Sequence, residues 1–454
     1  MKHILHTLLF AFTFVIAPVA HATVLDIEEV TSEGGITAWL VQDDSVPVIA
    51  MDFGFKGAGA AQDPQGKQGL ARMLSNTMDE GAGSLNGQEF QEALREKAIS
   101  LGFSASRDNF TGSLKTLTKN KARAFELAEL ALTKPRFDKE AVDRMREANI
   151  SRIKSSLAGP DWKAARLIND RAFEDHAYAL NSGGTLSSLQ DITSKDLQKF
   201  HGRVIGKNNL HVAVAGDISA EELAVALDQI FGDLPDVEIE EPADHDITNQ
   251  GSTYHFADDI PQTVIEMMQP GISRDDPDFQ KAQVMNFILG SSGFGSRLTK
   301  EIRENRGLTY GIYSYFYNLD HLNGLSVSTS TANANVPEML TLIKAEFEKI
   351  KAEPISDKEL QDAKSYLIGS LPLSLTSTDK IAGLMNSIQL DGLPKDYLDT
   401  RNAEIEATTV EDIQAISQKI LDPDAFVTVL VGKAEGWEEN GLETTTIKKL
   451  PNVE

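Results

Sequence analysis

The chain of 454 residues contains no cysteine. That excludes disulfide staples, a thiol nucleophile and any thiolate metal site, whatever the redox state of the compartment. Positive charge is scarce too: 43 Lys and Arg stand against 68 Asp and Glu, a formal net charge of −25. Phosphate backbones are held by basic surfaces, so this balance argues against a nucleic-acid partner. Beyond residue 22 there is no apolar run long enough to cross a bilayer. Histidine pairs four residues apart are also missing: His176, His201, His211, His245, His255 and His321 each stand alone. The simplest helix-borne zinc pair is therefore absent.

What is present starts with the pattern of an export signal. Lys2 precedes an apolar run from Ile4 to Ile16, and Ala20-His21-Ala22 offers a small-x-small cleavage site. The mature chain is expected to begin near Thr23 and to be periplasmic. Its length suffices for two domains, each with its own core. An acidic, polar stretch at 236–252, with Pro242 and Gly251, lacks apolar periodicity and reads as the connection. The expected division is a signal peptide over 1–22, a first domain over 23–240, a linker over 241–252 and a second domain over 253–454. His245, between Asp244 and Asp246, reads as a solvated linker histidine.

The halves read as a diverged internal repeat. Strand-like segments Val46–Phe55 and Thr263–Gly271 each lead into an apolar-periodic helix. Leu94-Arg95-Glu96-Lys97 matches Ile302-Arg303-Glu304-Asn305, an offset of 302 − 94 = 208. The segment from Pro135 to Glu140 matches that from Pro354 to Glu359, an offset of 354 − 135 = 219. Strands ending in glycine, Leu210–Gly216 and Phe426–Gly432, differ by 432 − 216 = 216. Similar offsets in the same order suggest duplication. Alternating strands and helices in each half predict an α+β (mixed α/β) fold of two similar domains.

The segment Gly69–Gly81 (GLARMLSNTMDEG) predicts a helix with Leu70, Met73, Leu74 and Met78 as a core-facing stripe. It resembles the G-L-A-H-x-x-E-H-M helix of the pitrilysin/insulinase family, which includes mitochondrial processing peptidase. In that family two histidines and a later glutamate hold zinc, and the intervening glutamate is the general base. Here Arg72, Ser75 and Asn76 stand at the three motif positions, and Ser151 and Arg152 fall where the later glutamate is expected. Arginine stays protonated and repels a cation, so the resemblance implies no metal bound by this chain.

The second half is similar to the family's other signature. Gly290-Ser-Ser-Gly293-Phe294-Gly295-Ser-Arg-Leu298 leads into Ile302-Arg303-Glu304-Asn305-Arg306-Gly307-Leu308-Thr309-Tyr310. The resemblance implies that Arg303 and Tyr310 hold a peptide backbone and stabilise an oxyanion, with Gly293, Phe294 and Gly295 near the peptide. It also implies two domains facing each other around a chamber. The expected function is the non-zinc subunit of an exported heterodimeric zinc peptidase. A homologous H-x-x-E-H chain would be the partner and supply zinc, and unfolded peptides would be the substrate. Two other readings stay open: an inert scaffold of the same fold, and a zinc peptidase acting alone through unorthodox ligands.

Overall fold

The computed structural model describes residues 23–291 and 295–454. The expected signal peptide, Gly293 and Phe294 therefore lie outside the described residues. Among these there are fourteen strands. They are β1 (Glu28–Thr31), β2 (Thr37–Gln42), β3 (Val48–Phe55), β4 (Gly81–Ala82), β5 (Leu85–Asn86), β6 (Ser100–Ala105), β7 (Phe110–Leu117), β8 (Leu210–Gly216), β9 (Thr253–Ala257), β10 (Gln262–Pro270), β11 (Ile312–Leu319), β12 (Leu322–Ala332), β13 (Val427–Gly432) and β14 (Thr445–Ile447).

The strands build two six-stranded mixed sheets, in the orders β1-β2-β8-β3-β7-β6 and β11-β12-β10-β13-β9-β14. Reversing the first order superimposes β6, β7, β3, β8 and β2 on β11, β12, β10, β13 and β9. In both sheets the pair formed by the first and last of these in the chain is parallel, β2 with β8 and β9 with β13. The repeat suggested by the offsets is thus a repeat of topology. The expected α+β class and two similar sheet-containing halves are what the structure has.

Central strands such as β3 and β13 are buried along nearly their whole length, as befits sheets covered on both faces. One face of each sheet packs on helices of its own half. In the first, Leu40, Met51, Phe53 and Val214 meet Leu127, Leu223 and Phe231. Phe53 and Phe231 meet edge to face with centroids 5.3 Å apart, a favoured aromatic geometry. The other face is covered by the opposite half. The helix Thr378–Leu390 puts Ala382, Met385 and Ile388 against Trp39, Ala50 and Ala213. Reciprocally, the helix Pro160–Ala172 puts Ala164, Leu167 and Ile168 against Val264, Val429 and Val431.

Polar contacts lock this exchange. Arg107 Nη1 donates to the Tyr317 hydroxyl at 2.9 Å. Asp108 accepts from the buried Tyr178 hydroxyl and from the Asp320 N–H. Lys163 pairs with Asp258 at 2.5 Å, and Lys115 with Asp379 at 2.5 Å.

The connection near 236–252 is irregular, but it packs on both halves. Gln62 Nε2 donates to Glu240 O at 2.8 Å, Asn208 Nδ2 to Val237 O at 2.7 Å, and the His245 N–H to His321 O at 2.8 Å. His245 is not a solvated histidine: its ring stacks on His176 at 4.9 Å and its Nε2 is buried without a partner. Ring stacking and backbone pairing outweigh the polar composition of the stretch. Among the described residues no helix is long and apolar enough to cross a membrane.

Candidate functional site

The helix expected over Gly69–Gly81 spans only Leu70–Ser75. Two hydroxyls account for its early end. Ser75 Oγ donates to Arg72 O at 2.9 Å, and Thr77 Oγ1 donates to Met73 O at 2.7 Å. Such bonds compete with the helical ladder for its carbonyls. The buried face is the expected one, with Leu70, Met73 and Leu74 in the core.

The start of this helix is fixed by Asp63, which sequence reasoning did not single out. Its carboxylate accepts from Gly69 N at 2.7 Å and Ala71 N at 2.8 Å. Burial pushes its pKa up to about 7, in spite of those donors. Gly69 itself has φ +89°, and a Cβ there would lie 2.7 Å from Gly184 Cα. Only glycine accommodates both.

Arg72 and Asn76 occupy one face, a turn apart, with Asn76 N–H bonded to Arg72 O at 3.1 Å. The facing element is the helix Lys139–Ser156. Its buried Asn149 donates through Nδ2 to Asn76 Oδ1 at 3.0 Å, and Arg152 donates to Asn149 Oδ1. Arg152 lies close enough for its charge to act on Arg72. Burial, and then this second guanidinium, hold Arg72 below the usual arginine range. Arg72 Nε is buried without a hydrogen-bond partner. Of the two aligned residues it is Arg152 that comes to Arg72.

These residues do not fit a zinc ion. Two guanidinium groups repel a dication, Asn76 Oδ1 is already engaged, and Ser75 is turned onto the backbone. Among the described residues no three His, Cys, Asp or Glu side chains are grouped to hold a metal.

Arg303 and Tyr310 belong to the other half. Arg303 lies in a wide helical turn, Thr299–Asn305, anchored by buried Ile302. Tyr310 is 87% exposed, although its loop is pinned. Thr331 Oγ1 donates to Leu308 O at 2.7 Å, and Thr329 Oγ1 and Thr309 Oγ1 both donate to Gly311 O at 2.9 Å. A fixed loop thus presents an uncovered phenol. Thr329 and Thr331 went unnoticed in the sequence, where the Ser/Thr-rich run at 326–331 was their only signal. Tyr313 and Tyr315 continue the exposed aromatics along β11, the edge strand of its sheet. At alternate positions they share one face.

Gly295 is exposed with φ +98°, the left-handed region that suits glycine. It borders a groove of about 630 Å³ with charged walls, including Arg297, Lys300 and Glu359. Arg297 grips Glu359 at 2.8 and 3.2 Å. Burial acts against the charge of Glu359, but Arg297 and Ser356 outweigh it and hold the carboxyl at about 2.

Residues 191–367 match the family described as Peptidase M16 inactive domain. A crystal structure of a peptidase M16 inactive domain from Pseudomonas fluorescens superimposes with a TM-score of 0.84 at 28% identity, covering 90% of this chain and 99% of that one. The chain is thus similar to peptidase M16 proteins over most of its length, and its residues 191–367 match their inactive domain. Among curated relatives, a non-peptidase homolog YmxG of Helicobacter pylori is 27% identical over 81% of this chain and 85% of its own length. The mitochondrial-processing peptidase subunit beta of Saccharomyces cerevisiae is 24% identical over 72% of this chain and 74% of its own. The second of these is, by its name, one subunit of an assembly.

Proposed function

We propose that this chain is the non-zinc subunit of an exported, periplasmic, heterodimeric metallopeptidase. The observation that carries the reading is Tyr310. A phenol 87% exposed on a loop held by three threonines is positioned for something outside its own chain. It follows Arg303 at the family spacing, while the zinc positions of the same chain hold Arg72, Asn76 and Arg152. In this reading a homologous H-x-x-E-H chain holds the zinc. Arg303 and Tyr310 supply a fixed cation and a phenol donor to the negative charge that develops on the peptide carbonyl oxygen. A donor of this kind is worth about 10²–10³ in rate. Tyr313 and Tyr315 extend an aromatic surface along which an unfolded peptide can lie. Residues 1–22 direct export.

The test is peptidase activity on an unstructured fluorogenic peptide with added zinc. This chain, a homologous H-x-x-E-H chain exported with it, and their mixture are compared. Activity only in the mixture, lowered about a hundredfold by Arg303→Ala and at least about tenfold by Tyr310→Phe, supports the shared site. Activity of this chain alone that a chelator abolishes overturns it. The relative described as a non-peptidase homolog favours a second reading, an inert scaffold. Tight association of the two chains without activity in any sample selects that reading.

A further inference from the structure

We propose that Arg72, Asn76 and Arg152 form a carboxylate-binding site on this chain. The site deepens the peptide-subunit reading, because it names the part of a peptide that this half would grip.

The donors converge and lack acceptors. Arg72 sits half-buried with Nε unpartnered. Arg152 stands close to it, and among the described residues its guanidinium bonds only Asn149. Asn149 takes the Asn76 carbonyl oxygen. With its oxygen taken, Asn76 has only its Nδ2 amide left to offer, a donor. Two guanidiniums and an amide, all hydrogen-bond donors, are thus gathered around Asn149.

No acid balances them. Neither Arg72 nor Arg152 makes a salt bridge among the described residues, although the chain carries an excess of carboxylates. Of the acids near in sequence three are committed elsewhere, and exposed Glu147 pairs with neither arginine among the described residues. Glu80 is held by Arg144, Asp79 accepts from Gln91 at 3.3 Å, and Asp143 is shared by Lys139 and Arg146. Like charges placed together and partly desolvated raise each other's energy unless an anion joins them. Planar guanidiniums match a carboxylate through paired N–H···O bonds. The two arginines are 152 − 72 = 80 residues apart and on different helices, so no local helical pattern requires their pairing.

A carboxylate reaches such a site from two sources, a peptide C-terminus or an acidic side chain. The test is calorimetric or polarisation titration of the full mature chain with three forms of one unstructured peptide. These are the free acid, the C-terminal amide, and the amide carrying one internal glutamate. The expected result is that the free acid binds at least about tenfold more tightly than the amide, the scale of one charge-assisted hydrogen-bonded contact. The advantage should shrink with added salt and vanish in Arg72→Met and in Arg152→Met. If the glutamate-bearing amide recovers the affinity, the source is an acidic side chain; if only the free acid binds, it is the C-terminus. Either outcome supports the site. Equal binding of all three forms, no binding of any, or an advantage that survives both substitutions overturns it. Arg152 is exposed, so Arg152→Met keeps the test open should Arg72→Met fail to fold. The readout is made on the isolated chain, so its failure leaves the mixed-chain peptidase assay standing, and the reverse also holds.

Discussion

Asp52 and Glu266 occupy the same place in the two sheets. Asp52 on β3 lies opposite Ser113 and Ala213, and Glu266 on β10 lies opposite Ser328 and Val429. Each faces the helix contributed by the other half, and each meets an acid near the start of that helix. Burial first, and then Asp379, raise Asp52 to about 6. Burial raises Glu266 to about 7, with Asp161 adding to the rise and a 2.6 Å bond from Ser328 opposing it. Each exchanged interface thus carries a half-buried acid at the same place.

These acids make stability depend on pH. Their folded pKa values lie above the ordinary 3.8 and 4.5. The folded chain therefore holds more protons than the unfolded one between about pH 4 and 7. Their contribution is most favourable below about pH 4 and is lost as pH rises through 6 and 7. Asp52→Asn and Glu266→Gln are expected to stabilise the chain by about 1–3 kcal/mol each at pH 8 and to change little at pH 4. Thermal unfolding at both pH values checks this, and destabilisation at pH 8 would refute it.

The zinc positions make a second prediction. The purified mature chain is expected to retain no stoichiometric zinc after dialysis, by elemental analysis. Arg72→His with Asn76→His alone should gain little, because Arg152 still repels the ion. Adding Ser75→Glu and Arg152→Glu should yield near-stoichiometric zinc. If the double variant bound zinc as tightly as the fourfold one, Arg152 would not be the obstacle.

The link between halves can be cut at Asp108. Its carboxylate serves the buried Tyr178 hydroxyl and the Asp320 N–H. Asp108→Ala leaves both donors without an acceptor, an expected loss of about 2–4 kcal/mol. Denaturant titration measures it, and a loss below about 0.5 kcal/mol would show that water replaces the carboxylate.

Gly69→Ala tests the backbone that aims Arg72. The positive φ and the approach to Gly184 both penalise a Cβ, so a loss of at least about 2 kcal/mol is expected. A variant as stable as the parent would mean that the helix start relaxes freely.

Much of the fold was legible because it rests on local patterns. The alternating apolar strands and the repeated strand-helix order pointed to two similar α+β halves, and the sheets have that repeated order. The end of the Arg72 helix was not legible. Met78 continues the apolar stripe, but hydroxyls of Ser75 and Thr77 turn onto the backbone before it. The exchange of helices between halves was not legible either. The patterns of 160–172 and 378–390 mark an apolar face without saying whose sheet it covers.

At the candidate site the division is similar. Sequence spacing and the resemblance picked out Arg72, Ser75, Asn76, Arg152, Arg303 and Tyr310. Packing brings Arg152 rather than Ser151 to Arg72. Asp63 and the threonines under Tyr310 act through contacts between distant segments, which no local motif records.

The sequence by itself determined what chemistry is missing where a residue type is missing altogether, since absent cysteines cannot be restored by folding. It also determined the repeated order of strands and helices, which follows from the period of apolar residues along the chain. Only the tertiary structure decided that two guanidiniums 80 residues apart in sequence come close without a salt bridge among the described residues. Such a meeting depends on how the helices Leu70–Ser75 and Lys139–Ser156 pack, and packing is set by the whole core rather than by either segment.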